Sequence, residues 1–281
     1  YGATYSRSYL AGGATETFSF LRHNLLQKYG PDWRNQFINL IHPRFRSWGF
    51  NAMSSVDTAN PIFYQNRRFA YTLIVENHFP VTIPGTDIAW GPFPDVYDPR
   101  FVDNLVKKLT TLSTVTFAKQ DPWCIGFFID NELPWADTGW RENQLAQGAL
   151  TAPATLQAKI ALVNQLKTKY QNNIITLNTA WKTAFKSWDQ ILTTSITLTP
   201  AQATAAQPDF AAYFERTAET YFSKVRTVMR ERAPRKLYLG VRISRYAATA
   251  IRVASKYCDV ISVNWYGRSP TSLLDRTLPG G

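Results

Sequence analysis

The fold is indicated most clearly by the stretch WCIGFFIDNELPW, residues 123–135. Residues 123–129 are continuously apolar, which is typical of a strand buried on both faces of a parallel sheet. The polar residues Asp130, Asn131 and Glu132 follow immediately. In α/β folds, binding and catalytic groups lie where parallel strands end. The stretch therefore predicts a buried strand with a functional site at its carboxyl end.

Strands and helices alternate on both sides of this strand. The other predicted strands cover residues 48–55, 70–75, 236–243 and 259–265. Helices are predicted over 15–41 with a break at 30–32, over 98–118, over 151–192 with breaks near 172 and 186, over 209–232 and over 246–256. The Ala- and Thr-rich segment 193–208 is predicted to be a surface insertion. The alternation predicts an α/β fold with a parallel sheet, for which a doubly wound sheet and a (β/α)8 barrel both fit.

Composition and charge limit the function classes. With 45% apolar and 18% charged residues among 281, the chain is not disordered, and its apolar runs are too short for a membrane helix. The net charge of +11 would suit a nucleic acid or an anionic polysaccharide, but no long basic run occurs. We expect neither a nucleic acid nor a membrane as a partner. A basic nucleic-acid-binding protein is nevertheless kept as an alternative function class, because of the net charge.

Cysteine and histidine usage argues against cofactor chemistry. Two cysteines, Cys124 and Cys258, cannot form a disulfide framework or a cysteine-rich zinc site. Both lie at or beside predicted strands, so we expect buried, unreactive thiols. No His-Glu-x-x-His motif or comparable cluster occurs, and no Gly-rich nucleotide-binding motif follows a strand. The sequence therefore predicts no metal and no cofactor.

The ends of the predicted strands carry residues that suit a sugar. Aromatic faces stack on sugar rings, and Arg, Asn and His side chains bind hydroxyl groups. A carboxylic acid that is partly buried at such a position can hold a proton near neutral pH, as general acid catalysis requires. In the alternative interpretation, Asp130 and Asn131 cap a turn, Glu132 is a solvated loop residue, and the aromatic residues only pack. The candidate binding residues are Asn77, His78, Trp90, Trp135, Arg242, Asn264, Trp265 and Tyr266.

The stretch 123–135 resembles the acid/base segment of clan A glycoside hydrolases, and most of all that of family 50, the β-agarases. Supporting stretches are Trp48–Asn51, Asp98–Phe101 and Tyr257–Tyr266, while 177–181 and 187–189 are similar to family 42 β-galactosidases. The resemblance implies one (β/α)8 TIM barrel over residues 1–281, incomplete in this chain. Strands two to six would be 49–54, 70–75, 124–129, 237–243 and 260–264, with a helical insertion at about 140–208 after strand four.

The resemblance also implies residue roles and a substrate. Glu132 would be the general acid/base, Asn131 its partner at the sugar 2-hydroxyl, and Tyr266 a neighbour of the nucleophile. The expected reaction is retaining hydrolysis of β-galactosidic linkages in agarose or a related algal galactan. Porphyran and carrageenan are alternatives, as is a barrel that binds carbohydrate without cleaving it. A polysaccharide substrate implies a secreted or periplasmic protein.

One element of the family pattern is missing. The clan's nucleophile is a Glu at the end of strand seven, whereas no Glu follows Glu231 and the only later carboxylates are Asp259 and Asp275. We expect the natural enzyme to be longer, with strand one before Tyr1, the nucleophile beyond residue 281, and this chain alone inactive or completed by another chain. An inverting pair within the chain would draw on Glu76, Asp57 or Asp130.

Overall fold

A computed structural model describes residues 4–6, 17–56, 69–87, 91–135, 143–244, 247–269 and 271. The chain divides into two compact units, Tyr1–Tyr71 and Thr72–Gly281. The second unit contains every candidate site residue that is described. Among the described residues, no helix is both long enough and apolar enough to cross a membrane.

The first unit contains a small hairpin and two helices. Strand β1 (Thr4–Ser6) pairs antiparallel with β2 (Thr17–Ser19), so that Tyr5 lies opposite Phe18. Helices α1 (Phe20–Tyr29) and α2 (Trp33–Ser47) follow, and strand β3 (Ala52–Val56) comes after them.

The boundaries of α2 explain one confirmed prediction and one wrong one. The break at 30–32 is confirmed, because Gly30 has a φ of +68° and α2 begins at Trp33. The strand predicted from residue 48, or from 49 by the family resemblance, begins only at Ala52. The amides of Trp48 and Gly49 donate to carbonyls of the last turn of α2, and Gly49 has a φ of +84°. Left-handed backbone of this kind ends helices, so these residues belong to a helix end and not to a strand.

The second unit is a mixed α/β structure with a parallel sheet. Strand β4 (Ala70–Val75) begins in the first unit and is followed in the sheet by β5 (Cys124–Ile129) and β6 (Leu237–Tyr238). β5 and β6 are parallel, with Gly126 opposite Leu237. A Cβ atom at position 126 would collide with the Leu237 carbonyl, so glycine allows this close approach. All β5 residues except Ile125 are buried, which confirms the predicted buried strand.

The last two predicted strands are only partly formed. β6 has two residues instead of the predicted run to 243, and the segment 259–265 contains only an isolated parallel bridge between Ile243 and Val263. Left-handed backbone at Gly240 (φ +80°) and Arg242 (φ +50°) interrupts regular pairing. The Ser262 hydroxyl takes the place of ladder groups, because it accepts from the Arg242 amide and donates to the Leu239 carbonyl. Regular strands five and six are therefore corrected to extended segments that lie side by side.

Helices occupy most of the remaining second unit. Between β4 and β5 lie α3 (Arg100–Thr111) and α4 (Ser113–Gln120). The later helices are α5 (Gln144–Thr151), α6 (Gln157–Lys169), α7 (Ile174–Trp181), α8 (Trp188–Thr193), α9 (Pro200–Arg232) and α10 (Ala248–Tyr257). The predicted breaks near residues 172 and 186 are confirmed. The residue pattern did not predict α5, although it lies within the helical insertion at about 140–208 that the family resemblance implies. Helix α9 packs against α3 and α10.

The segment predicted as an insertion at 193–208 is largely helix. α9 begins at Pro200 because Thr199 and Gln202 form a capping box, in which the Thr199 hydroxyl accepts from the Gln202 amide and the Gln202 side chain accepts from the Thr199 amide. Proline in the first turn and the Ala-rich sequence that follows both favour a helix. Residues 200–208 therefore form the first turns of α9, while much of the segment stays exposed to solvent, with only Ile196 and Ala206 buried.

Two buried charged side chains join the helices between β5 and β6. Lys159 is fully buried, and its Nζ donates to the carbonyls of Leu150, Ala152 and Thr194 at 3.0, 2.8 and 2.7 Å. Asp209 of α9 is also buried. It accepts from Lys169 Nζ at 2.6 Å, Tyr170 Oη at 2.7 Å and Trp181 Nε1 at 2.7 Å. Each charge is fully engaged by protein groups, which is the condition for burying a charge at acceptable cost.

Candidate active site

An open cavity of about 490 Å³ lies where β4 and β5 end. Its wall includes polar residues from both strand ends: Glu76, Asn77 and His78 after β4, and Asp130 and Asn131 after β5. The Asp130 amide donates to the Val75 carbonyl at 2.9 Å, so the two strand ends are joined directly. The structure therefore brings together residues that are far apart in sequence, as the strand-end argument predicts.

The backbone around these strand ends is strained. Left-handed backbone is found at His78 (φ 45°), Asp130 (φ 59°), Glu132 (φ 48°) and Arg242 (φ 50°), which follow β4, β5 and β6. Such a conformation costs a non-glycine residue about 1–3 kcal/mol and persists only where the surroundings enforce it. The other non-glycine residues of this kind in the described ranges are Gln171, Asn172 and Lys182, at helix ends where left-handed residues are common. The strain in the sheet region is thus concentrated at the candidate site.

Asn77 is held in place by its neighbours. Its amide donates to Asp130 Oδ1 at 2.6 Å, and its Nδ2 donates to the Phe101 carbonyl at 3.4 Å. Asn104 of α3 donates from Nδ2 to Asn77 Oδ1 at 2.9 Å and also to the Asn77 carbonyl. The Asn77 side chain is 1% exposed, so its polar atoms serve the protein and not a ligand in this arrangement. Asn104 was missed by sequence analysis, because nothing local marks one Asn in a helix as a partner of a distant strand end.

Asp130 forms part of the cavity wall, although it is only 5% exposed. Its Oδ1 accepts from the Asn77 amide, and its Oδ2 lies 3.0 Å from Tyr221 Oη of α9. Burial raises the pKa of the Asp130 carboxyl to about 6, against the opposing effect of the hydrogen bonds from Asn77 and Tyr221. Both oxygens are engaged, so Asp130 is not free to attack a substrate or activate a water molecule. This argues against its use in an inverting pair.

Glu132 and Asn131 continue from the same strand end. The Glu132 amide donates to the Val241 carbonyl at 3.0 Å, and Asn264 Nδ2 donates to Glu132 Oε1. Glu132 is thus tied to two segments that sequence analysis placed at the ends of later strands. Asn131 Oδ1 is buried and has no hydrogen-bond partner among the described residues, although Asn131 lines the cavity. An unpartnered buried acceptor is costly and is satisfied when a ligand hydroxyl donates to it.

The other predicted binding residues divide into two groups. His78 pairs with Glu76 at the cavity wall, where Nε2 and Oε2 are 2.5 Å apart and both side chains are exposed. Like Glu132 and Asn264, the residues Arg242, Trp265 and Tyr266 are not part of the cavity lining. They lie in the segments that contact Glu132 through Val241 and Asn264, and Tyr266 is 91% exposed.

Trp135 lies in the core. Its ring stacks on Phe222 at a centroid distance of 5.3 Å and meets Phe93 edge-on at 4.9 Å, and the residue is 2% exposed. The structure therefore does not bring Trp135 to the cavity wall, and its ring faces are not available for stacking on a sugar. Trp90, Asp57 and Asp275 lie outside the described residues.

The basic residues that cluster at the end of α9 mostly contact carboxylate, amide or carbonyl groups of the protein itself. A second cavity, of about 250 Å³, lies at the end of α9 and is lined by Arg226, Arg230, Arg235, Lys236 and Asp259 among others. Arg226 pairs with Asp259 at 2.7 Å, and Lys236 donates to backbone carbonyls of Asp121 and Cys124. Arg235 donates to the Gln120 side chain at 2.6 Å. These contacts favour the interpretation of the positive charge here as structural.

The two cysteines are free thiols, buried at Cys124 and partly exposed at Cys258. Burial raises the pKa of Cys124 to about 11 and that of Cys258 to about 12. Because the thiolate is the nucleophile, both side chains are held in the unreactive form.

The fold of the chain is similar to that of solved agarase structures. The crystal structure of an agarase, AgWH50C, matches with a TM-score of 0.79 and 29% identity, over 98% of this chain and 40% of that one. An exo-beta-agarase structure matches with a TM-score of 0.82 and 26% identity, over 94% of this chain and 36% of that one.

Sequence comparison leads to the same group of enzymes. The chain is 33% identical to Beta-agarase B of Vibrio sp. (strain JT0107) over 272 residues, which are 92% of this chain. It spans 27% of the length of that protein. No family model matches the chain. These matches confirm the predicted resemblance to β-agarases.

Proposed function

We propose that the protein is a glycoside hydrolase that acts on agarose, with Glu132 as its general acid/base. The observation that carries the proposal is the Asp-Asn-Glu segment at the end of a buried parallel strand, where Asp130 and Asn131 line a cavity, in a chain similar to β-agarases. A complete (β/α)8 barrel, a single catalytic domain with the helices after β5 as an insertion, and secretion are parts of the same proposal. They are supported by the agarase likeness alone.

The surroundings of Glu132 suit proton transfer. The Asn264 amide group donates to Oε1, which orients the carboxyl and leaves Oε2 to carry the proton. As general acid, Glu132 would protonate the departing glycosidic oxygen, and as general base it would then remove a proton from the attacking water. Asn131 would accept a sugar hydroxyl at its free Oδ1, which gives the substrate a fixed orientation beside Glu132.

A retaining reaction needs a second carboxylate about 5–5.5 Å from the first, to attack the sugar carbon. The described carboxyls at the cavity are poor nucleophiles, because Glu76 is paired with His78 and Asp130 is engaged at both oxygens. We propose that the nucleophile is a Glu outside these 281 residues, at the position that the clan resemblance implies.

The proposal is tested with Glu132→Gln in the full natural gene product that contains this chain. Gln keeps the size and the hydrogen bond from Asn264 but cannot transfer a proton, so we expect a loss of about 10²–10⁴-fold in turnover of agarose. Binding of agaro-oligosaccharides, measured by calorimetry, should persist. Glu231→Gln on the exposed end of α9 is the matched control and should retain the wild-type rate.

The outcomes separate the candidate functions. Unchanged turnover in Glu132→Gln would remove Glu132 from the mechanism. Sugar binding without turnover in the wild-type protein would identify a binding barrel instead. Parallel assays on porphyran and carrageenan decide whether a sulfated galactan is preferred to agarose.

A further inference from the structure

The buried contacts below the cavity call for one more hydrogen than an ionised Asp130 provides. Tyr221 Oη lies 2.9 Å from the Ile129 carbonyl oxygen and 3.0 Å from Asp130 Oδ2. A phenol carries one hydrogen, a carbonyl none and an ionised carboxylate none. With Asp130 ionised, the Tyr221 hydrogen can be directed well at only one of these two oxygens.

A neutral Asp130 resolves the contacts without moving an atom. Its Oδ2–H would donate to Tyr221 Oη, and the Tyr221 hydroxyl would donate to the Ile129 carbonyl. Oδ1, the carbonyl oxygen of the acid, still accepts from the Asn77 amide at 2.6 Å. In this state each of the three short contacts contains one hydrogen. Among the described residues no cation donates a hydrogen bond to Asp130, and the residue is only 5% exposed, conditions that disfavour its ionised form.

We propose that Asp130 is a positioning residue of the candidate site and that it acts as a neutral carboxylic acid. It joins the end of β4, through the Asn77 amide, to α9, through the Tyr221 hydroxyl. It also precedes Asn131 and Glu132 directly, in left-handed backbone that has to be enforced by such contacts. The proton on Asp130 therefore fixes the residues that face the sugar. The inference rests on the proposed function for the identity of the ligand.

The proton on Asp130 depends on the groups around it. Glu76 raises its pKa and His78 lowers it, and these side chains lie on the segment after β4. Tyr221 of α9 and Tyr238 of β6 face it from the other packed elements, and burial raises the pKa of both phenols well above the ordinary value. Both tyrosines therefore remain neutral donors, and the proton on Asp130 is the one that varies in the buried group.

The first test compares Asp130→Asn with Asp130→Ala in the full gene product. An Asn offers one N–H donor to Tyr221 and one C=O acceptor to Asn77, as the neutral acid does, whereas Ala offers neither. We expect Asp130→Asn to keep most of the activity on agarose. Asp130→Ala should lose about 10²-fold, mainly in kcat, because a misplaced catalytic group costs about that much. The activity of the wild type should fall relative to that of Asp130→Asn as the pH rises through about 6.

The second test needs no substrate. The infrared difference spectrum of wild type minus Asp130→Asn should show the C=O band of a protonated carboxylic acid below pH 6, and the band should disappear as the pH rises through the pKa of about 6. Absence of the band at low pH would overturn the proposal, as would an Asp130→Asn enzyme as impaired as Asp130→Ala. If the wild type neither binds nor cleaves agarose, the proposed function fails, while the infrared result still decides the state of Asp130.

Discussion

Asp209 and Asp130 are both buried carboxyls that contact a tyrosine of the second unit, yet their surroundings differ. Asp209 accepts three hydrogen bonds, one of them from Lys169, and all three donors belong to the helical region after β5. Asp130 accepts no hydrogen bond from a cation in the described part of the chain, and it lines a cavity. A buried acid that is paired with a cation among packed helices therefore has a structural role, whereas a buried acid with neutral partners at a cavity is a candidate for a role in the site.

The region around β5 and β6 and the helical region between them also differ in how completely their buried polar atoms are hydrogen-bonded. Buried side-chain atoms without a partner in the described residues include Asn131 Oδ1, Trp135 Nε1 and Tyr238 Oη, all in or just after β5 and β6. The helical region has one such atom, Asn143 Oδ1 at its start. Left-handed non-glycine residues show the same trend, because those of the helical region lie at helix ends. Of these atoms only Asn131 Oδ1 belongs to a residue that lines the cavity, where a ligand is expected to contribute contacts, whereas Trp135 and Tyr238 lie in the core.

The largest stability effect is expected for Lys159→Met. The substitution keeps an apolar stem but leaves the carbonyls of Ala152 and Thr194 without a donor, while the Leu150 carbonyl still accepts from the Ile196 amide. At about 1–3 kcal/mol for each of the two unpartnered groups, the free energy of unfolding should fall by about 2–6 kcal/mol. Urea unfolding followed by circular dichroism measures the change. Lys186→Met, an exposed control in the same helical region, should stay close to wild type.

Asp209→Asn should destabilise the protein by about 2–4 kcal/mol, because an amide nitrogen would then face donors that need an acceptor. The donors are Lys169 Nζ, Tyr170 Oη and Trp181 Nε1, so at least one loses its partner. Unfolding at neutral pH tests this expectation. If Asp209→Asn were as stable as the wild type, Asp209 would not be needed as a hydrogen-bond acceptor, and the proposed difference between Asp209 and Asp130 would be wrong.

At neutral pH the substitution Asp130→Asn should raise the free energy of unfolding, in contrast to Asp209→Asn. Burial raises the pKa of Asp130 from the ordinary 3.8 to about 6, so its contribution to stability is fully present below pH 3.8 and is lost as the pH rises through about 6. At about 1.4 kcal/mol for each pH unit between the two values, the loss is at most about 3 kcal/mol. Asp130→Asn escapes this loss, so its stability relative to wild type should increase between pH 4 and 7. A constant difference over that range would contradict the raised pKa.

The smallest effect is expected for Asn104→Ala. It removes the hydrogen bond to Asn77 Oδ1 and should lower the free energy of unfolding by about 1 kcal/mol. If Asn77 is positioned jointly by Asn104 and Asp130, combining Asn104→Ala with Asp130→Ala should cost less activity than the sum of the two single losses. Strict additivity would show that the two residues act independently.

Much of the local structure was predictable. The buried strand at 124–129 and the helix breaks near residues 30, 172 and 186 follow from apolar runs and from Gly and Asn signals. The surface position of much of segment 193–208 was predicted, whereas the start of α9 at the capping box of Thr199 and Gln202 was not. Strand 236–243 was predicted as regular, although the left-handed backbone at Arg242 depends on the Ser262 contact that only the fold provides.

The sequence by itself determined the strand that ends in Asp130, Asn131 and Glu132, and the resemblance to agarases, because apolar continuity and a contiguous motif are local properties. Only the tertiary structure decided that Tyr221, 91 residues away in sequence, meets Asp130, and that Asn264 holds Glu132. It also decided that Trp135 belongs to the core. The physical reason is that hydrogen bonding and burial depend on which distant segments pack together, and one sequence carries no record of those contacts until the chain folds.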